Sequence, residues 1–412
     1  MELIPNHKIE LLSPCGDYER LALALQYGAD AVYLGGNAFT MRAAPKNFSD
    51  EELANGVALA HAAGKKVYLT VNVYAHSASL KYLPDFLAKA RDIGVDAFII
   101  ADLGILKIAK EVAPDVDIHI STQAGVTNYE SARFYYDLGA KRIVPARELS
   151  LEEIAQIRAK TEKDLEIECF VHGAMCMSVS GRCLLSSFMV GRDANLGMCA
   201  QPCRWQFDMT DITRAGIKYP VMEDQYGTYF MNSRDMCMIE HIPALIAAGI
   251  DSFKIEGRAK SAYYTAVVTN AYRQALDGFY QNPSTDYLPA PWILEEMEKV
   301  SHREYSTGFY FRHPDKDGNT DYNGGYINTW DVVAFVSEAN GEVLTLSQRN
   351  KFNPGDTLEI VQPHRQPVSF SSNTLFDENM KPIESANHAM MTVKIKTDRI
   401  FEPGSIVRKK SK

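Results

Sequence analysis

Five of the seven cysteines, Cys169, Cys176, Cys183, Cys199 and Cys203, fall within 35 residues of a 412-residue chain. Thiols clustered this way, in an odd total with no regular framework, favour metal binding or catalysis over disulfides. Their spacing lacks the paired Cys-x2-Cys elements of a compact zinc knuckle and the Cys-x2-Cys-x2-Cys run of a ferredoxin. Ligands so widely spread would have to be gathered by the fold. Thiolates with no histidine at matching spacing suit structural zinc or an iron–sulfur cluster, and unligated core cysteines are the third reading. Cys199 and Cys203 also form the first part of a Cys-x3-Cys-x2-Cys radical motif, but Gln206 stands where its third thiolate belongs.

The elements that would position these residues follow from a phrase repeated through the first 260 residues: an apolar-striped helix, a glycine, then a short apolar strand. It occurs at Leu25–Gly35, Ile93–Ala101, Leu138–Ala146 and Ala248–Gly257. The glycine suits the left-handed residue that ends a helix, and the unbroken apolar run suits a parallel strand covered on both faces. Further strands are predicted at Lys8–Ser13, Lys66–Val73, Asp117–Thr122 and Leu165–Val171. About eight strands alternating with helices fit an α/β chain built on a closed (β/α)8 TIM-type barrel better than an open sheet. No Gly-x-Gly-x-x-Gly follows the first strand, so the usual dinucleotide fold is not indicated.

Two segments break the rhythm. A long stretch at 172–234, rich in Met, Ser, Gly and Cys, follows the seventh strand and therefore belongs on the catalytic face of a barrel. Beyond 305 the helical period stops. Residues 306–330 read as a linker, and 331–412 read as a small antiparallel β-barrel domain of short alternating strands. The barrel domain is thus expected over 1–305.

Composition is that of a globular chain, with 46% hydrophobic and 23% charged residues, so disorder and low-complexity architectures are excluded. No apolar run is long enough to span a membrane and no leader pattern opens the chain, which predicts a cytoplasmic protein. The net charge is −9, but 331–412 alone carries +1, with seven basic and two acidic residues between Lys394 and Lys412. A solubilising tail and a grip on nucleic-acid phosphates are both compatible with that run.

The run ECFVHGAMCMSVSGRCLLS from Glu168 to Ser186 resembles the signature of the collagenase-like peptidase family, peptidase U32. The KIEGR run Lys254–Arg258 and the opening Leu11–Gly16 are similar to it as well, and the resemblance covers the whole chain. Cys15 departs from the small residue more usual at its position. One barrel with one small β domain resembles the family's tRNA hydroxylation branch rather than the longer ribosomal-RNA branch. The resemblance implies a tRNA uridine hydroxylase that forms 5-hydroxyuridine at the wobble position (position 34 of the tRNA), dependent on prephenate as cosubstrate. It also implies a [4Fe–4S] cluster on Cys176, Cys183, Cys199 and Cys237, with Cys203 as the rival fourth ligand. The tRNA anticodon loop and a paralogous U32-family protein are the implied partners.

A dicarboxylate such as prephenate calls for arginines. Arg42, Arg147 and Arg258 follow predicted strands two, six and eight, and Arg182 lies between the first two expected cluster ligands. Asn72, Asp102, Gln123, His172 and Glu256 are further polar residues at strand ends. His172, Glu256 and Arg258 are the expected catalytic groups, with Arg42, Arg147, Arg182, Asn72 and Gln123 binding substrate. His172 could act as acid or base or bond a cluster sulfur, or be a structural histidine; Glu256 could instead pair with Lys254. Two other functions compete: a peptidase, for which no zinc helix or serine elbow is present, and a zinc-bearing scaffold that binds RNA.

Overall fold

The computed structural model describes residues 7–41, 47–175, 209–210, 218–219, 222–224, 227–229, 234–311 and 326–411. Eight parallel strands form its first unit: β1 Glu10–Pro14, β2 Ala31–Gly35, β3 Lys66–Val71, β4 Ala97–Ile100, β5 Asp117–Ile120, β6 Arg142–Ile143, β7 Glu166–Ala174 and β8 Ser252–Ile255. Each pairs with the next, and β8 pairs with both β7 and β1, so the sheet closes into the expected barrel. Gly94 shows how the repeated phrase works. With φ at 96° it ends the helix Leu83–Ile93 in the left-handed region, where a residue with a Cβ would be strained.

The barrel interior is apolar in one band and ionic in another. Leu12, Ala31, Tyr33, Tyr68, Ala97 and Ile99 form the apolar band. Toward the N-terminal ends of the strands, Arg142 reaches Glu10 at 2.6 Å, Glu166 at 2.6 Å and Glu168 at 2.9 Å. Tyr68 and Ser252 donate to Glu10 at 2.6 and 2.8 Å. Burial alone would raise the Glu10 pKa, but Arg142 reverses this and holds it below the usual carboxylate range.

After Ala174 the chain leaves the barrel, and it returns as the short strand Asp235–Cys237, antiparallel to β7. Asp235 pairs with Ala174, Met236 with Gly173 and Cys237 with His172. The long helix Ala262–Gln281, capped by Ser261, then packs against β1 and the first helix, buried on most of its surface.

The second unit is an eight-stranded antiparallel sheet centred on Trp330–Ala339, curled as a half-barrel round Val333, Leu344, Leu346, Ile360, Val393 and Val407. Its other face joins the barrel, where Val361 and Ile406 belong to the barrel's core and Tyr27 donates to the Val361 carbonyl at 2.9 Å. Arg408, in the strand Ile406–Lys410, locks this junction. Its guanidinium forks onto Glu296 at 2.5 and 2.7 Å, and it also meets Glu359 at 2.7 Å and Tyr263 at 3.0 Å. The C-terminal basic run is thus partly internal: Arg408 is fully buried and Lys409 pairs with Asp356. No helix among the described residues is long and apolar enough to cross a membrane.

Candidate active site

A cleft of about 70 Å³ opens at the C-terminal ends of the barrel strands, the end where barrel enzymes carry their chemistry. Asn72, Gln123, Arg147, Glu256 and Arg258 all line it, so five of the sequence-predicted residues converge on one mouth. Tyr33, Thr70, Phe170 and Lys254 rise from the barrel interior to form its base. Strand alternation places them there: Phe170 follows the inward-facing Glu168 by two residues, as Thr70 follows Tyr68.

The loop after β8 carries Arg258 across the mouth. Its guanidinium donates to Thr70 Oγ1 at 2.8 Å and Thr40 Oγ1 at 2.9 Å, and the two hydroxyls stand 2.9 Å apart. Arg147, after β6, donates to the Ala174 carbonyl at 2.7 Å and lies over the Phe170 ring, 3.9 Å from its centroid. Its Nε has no hydrogen-bond partner among the described residues, and the buried Gln123 Oε1 has none either. At the cleft these atoms are open to a polar partner such as a ligand or an ordered water. Asn72 Oδ1 accepts from the Met41 backbone at 3.3 Å, and the Tyr74 hydroxyl ties down the Gln123 carbonyl.

Lys254 adds a cation and pairs with Glu168 rather than with Glu256, the pairing left open in the sequence. Its Nζ lies 2.5 Å from Glu168, one layer deeper, and between the rings of Tyr33 and Phe170 at 4.4 and 5.3 Å. Burial pulls the ammonium pKa down and the Glu168 carboxylate opposes this, leaving it below the usual lysine value. Asp102 is not at the cleft; it caps the helix Leu103–Val112 by accepting from Ile105 at 2.9 Å.

His172 does not line the cleft either. Between Phe170 and His172 the pairing with β8 shifts by one residue, so that His172 stands beside Ile255 rather than continuing the inward series. Gly173, with φ at 107°, sits in the same irregularity, and a Cβ there would meet the Glu256 carbonyl at 2.7 Å. The His172 ring is enclosed by Tyr264, Tyr272 and Tyr305 at 5.9, 5.6 and 5.4 Å. Burial, with Lys260 adding to it, pushes its pKa down to about 3, so it is neutral at ordinary pH.

Arg42, Arg182, Cys176, Cys183, Cys199 and Cys203 lie outside the described residues. Cys169 is buried in the barrel core. Cys237 borders a second cavity of about 230 Å³, together with Glu240, His241 and Tyr305. Burial pushes its thiol pKa up to about 12 although the Ile239 backbone N–H bonds the sulfur. Among the described residues no three metal-ligating side chains converge.

The model of peptidase family U32 matches residues 16–320, and the model of that family's C-terminal domain matches 328–408. The chain belongs to peptidase family U32. Within the family it is 38% identical to tRNA hydroxylation protein P1 of Bacillus subtilis over 406 residues, 98% of this chain and 95% of that one. It is 44% identical to an uncharacterized protease of Methanocaldococcus jannaschii over 76% of each chain. It is 33% identical to the 23S rRNA 5-hydroxycytidine C2501 synthase of Escherichia coli, over 90% of this chain and 55% of that one. Both U32 models thus fall on the two units seen in the fold, the barrel and the half-barrel sheet.

Proposed function

We propose that this U32 chain is an RNA-modifying enzyme that hydroxylates the wobble uridine of tRNA to 5-hydroxyuridine, with prephenate as cosubstrate and a [4Fe–4S] cluster as cofactor. The observation that carries the reading is the near end-to-end likeness to a tRNA hydroxylation protein. The likeness to an rRNA hydroxycytidine synthase adds a second RNA hydroxylation relative. The cleft agrees with an anionic cosubstrate: Arg147 and Arg258 line it with one carboxylate, Glu256, while Lys254 at its base is balanced by Glu168. An anticodon-loop base is already unpaired, so presenting it to such a mouth requires little unstacking.

The cluster would be held by Cys176, Cys183, Cys199 and Cys237. Cys237 fits that role. It borders a cavity, and its strand runs back along β7 next to the point where the segment bearing the other three departs. A cysteine binds a metal as the thiolate, so its proton would leave as the cluster is bound. Bound there, an iron–sulfur cluster would supply electron transfer or Lewis acidity. The protein's own residues bind and orient: Arg147 and Gln123 offer open polar atoms, and Arg258 fixes the wall opposite.

Anaerobic purification with iron and sulfide analysis, and nucleoside mass spectrometry of tRNA from cells carrying each variant, test the reading. The expected result is about four iron and four sulfide per chain, lost together with 5-hydroxyuridine in Cys→Ala variants at 176, 183, 199 and 237 and retained in Cys203→Ala. Zinc in place of iron, with unmodified RNA bound, would favour the scaffold. Peptide cleavage without any RNA product would favour the peptidase.

A further inference from the structure

Lys254 opens the KIEGR run and pairs with Glu168 at the base of the mouth. Its surroundings are those of a reacting amine. Nζ sits at the base of the mouth cleft, recessed from bulk water with the residue only 4% exposed, and the faces of Tyr33 and Phe170 flank it. Arg147 lies against the same Phe170 ring, so a guanidinium and an amine share one aromatic platform. Glu168 Oε1 is 2.5 Å from Nζ, within proton-transfer distance. The other oxygen of Glu168 is held by Arg142 at 2.9 Å, which keeps the carboxylate aimed at the amine.

We propose that Lys254 forms a Schiff base with the keto carbon of a small 2-oxo acid whose carboxylate is held by Arg147. The ammonium passes one proton to Glu168, and the freed amine adds to the keto carbon to give a carbinolamine. Glu168 returns its proton to the departing hydroxyl, which leaves as water, and a protonated imine remains on Nζ. One carbon–nitrogen double bond replaces one carbon–oxygen double bond, with no change of oxidation state and no further reactant. The desolvated position of Nζ, which lowers its pKa, eases the first step. The imine would act as an electron sink for the bound acid, giving the site a means to break a bond next to the keto carbon.

This inference rests on the mouth cleft being the active site and is independent of RNA, so its test needs none. The full-length protein is incubated with pyruvate, phenylpyruvate or 2-oxoglutarate, reduced with sodium borohydride, and examined by intact mass and peptide mapping. The expected result is about one adduct per chain with at least one of the three acids, mapped to Lys254 and reduced at least about tenfold in Arg147→Met. Lys254→Arg, which keeps the charge beside Glu168, should bind the acid without being trapped. No adduct with any of the three, or an adduct spread over surface lysines and unchanged in Lys254→Arg, would overturn the proposal. Neither result bears on the nucleoside assay, so the two readings fail separately.

Discussion

Arg258 reaches from the loop after β8 to Thr70 at the far wall of the barrel mouth, with Nη1 2.8 Å from Oγ1. Through Thr40 the same guanidinium also holds the loop after β2. Two βα loops and the end of β3 are therefore set relative to one another by a single planar group, a task that a lysine ammonium cannot copy. Arg258→Lys should lower 5-hydroxyuridine formation by roughly a hundredfold, because misplacement of about an ångström at a reacting centre is that expensive. Thermal melting should change little, since Thr40 and Thr70 already bond each other. Nucleoside mass spectrometry beside a melting curve separates the two effects.

Gly173→Ala should disturb the same cleft from behind. The new Cβ would stand 2.7 Å from the Glu256 carbonyl at a φ that disfavours side chains. The expected cost is about 1–3 kcal/mol of stability, measured by urea unfolding. A drop in product larger than that instability explains would show that Glu256 had been displaced.

Arg408→Leu removes the only cation whose guanidinium forks onto Glu296 among the described residues, and Glu296 is 3% exposed. Lys299, 3.2 Å from Glu296 Oε1, stays beside that carboxylate, so the cost falls below the about 3–5 kcal/mol of stranding a buried charge outright. The loss should appear in urea unfolding and as faster hydrogen exchange in Thr357–Val361, the strand that carries Glu359. An unchanged exchange rate there would argue against a locking role.

His119 gives a pH signature. It lies edge-on to Tyr68 at 4.6 Å inside the barrel, and burial, then Arg142 and Lys254, hold its pKa well below 6.5. As pH falls through 6.5 the unfolded chain gains a proton that the native barrel refuses. Stability therefore declines toward acid, by up to about 1.4 kcal/mol per pH unit from this group. His119→Phe should flatten that slope between pH 6.5 and 5 when unfolding midpoints are compared.

The barrel was legible because its grammar is local. A glycine such as Gly94 closes each helix and an apolar run follows, so Ala97–Ile100 could be read from neighbours in sequence. Convergence of Asn72, Gln123, Arg147, Glu256 and Arg258 was legible for the same reason, since each lies just beyond the C-terminal end of a strand. What escaped depends on partners far along the chain. Lys254 pairs with Glu168, 86 residues away, rather than with nearby Glu256. Arg408 looks like part of a solvated basic tail until the sheet folds it against Glu296. His172, read from the sequence as an acid–base group, a bond to a cluster sulfur or a structural histidine, has its ring turned toward Tyr264 and Tyr272 by the register shift in β7.

Ala174 and Asp235 are ladder partners, although sixty residues separate them in the chain. To the barrel, the two antiparallel strands meet as the arms of a hairpin whatever the chain between them does. Closing a longer or shorter connection costs only fractions of a kilocalorie per mole for modest changes in length. The rim is therefore a grafting point: segments of very different size can be exchanged there while the eight strands keep their register. A U32 barrel so built can acquire a new cargo beside its cleft without redesigning the scaffold that supports it.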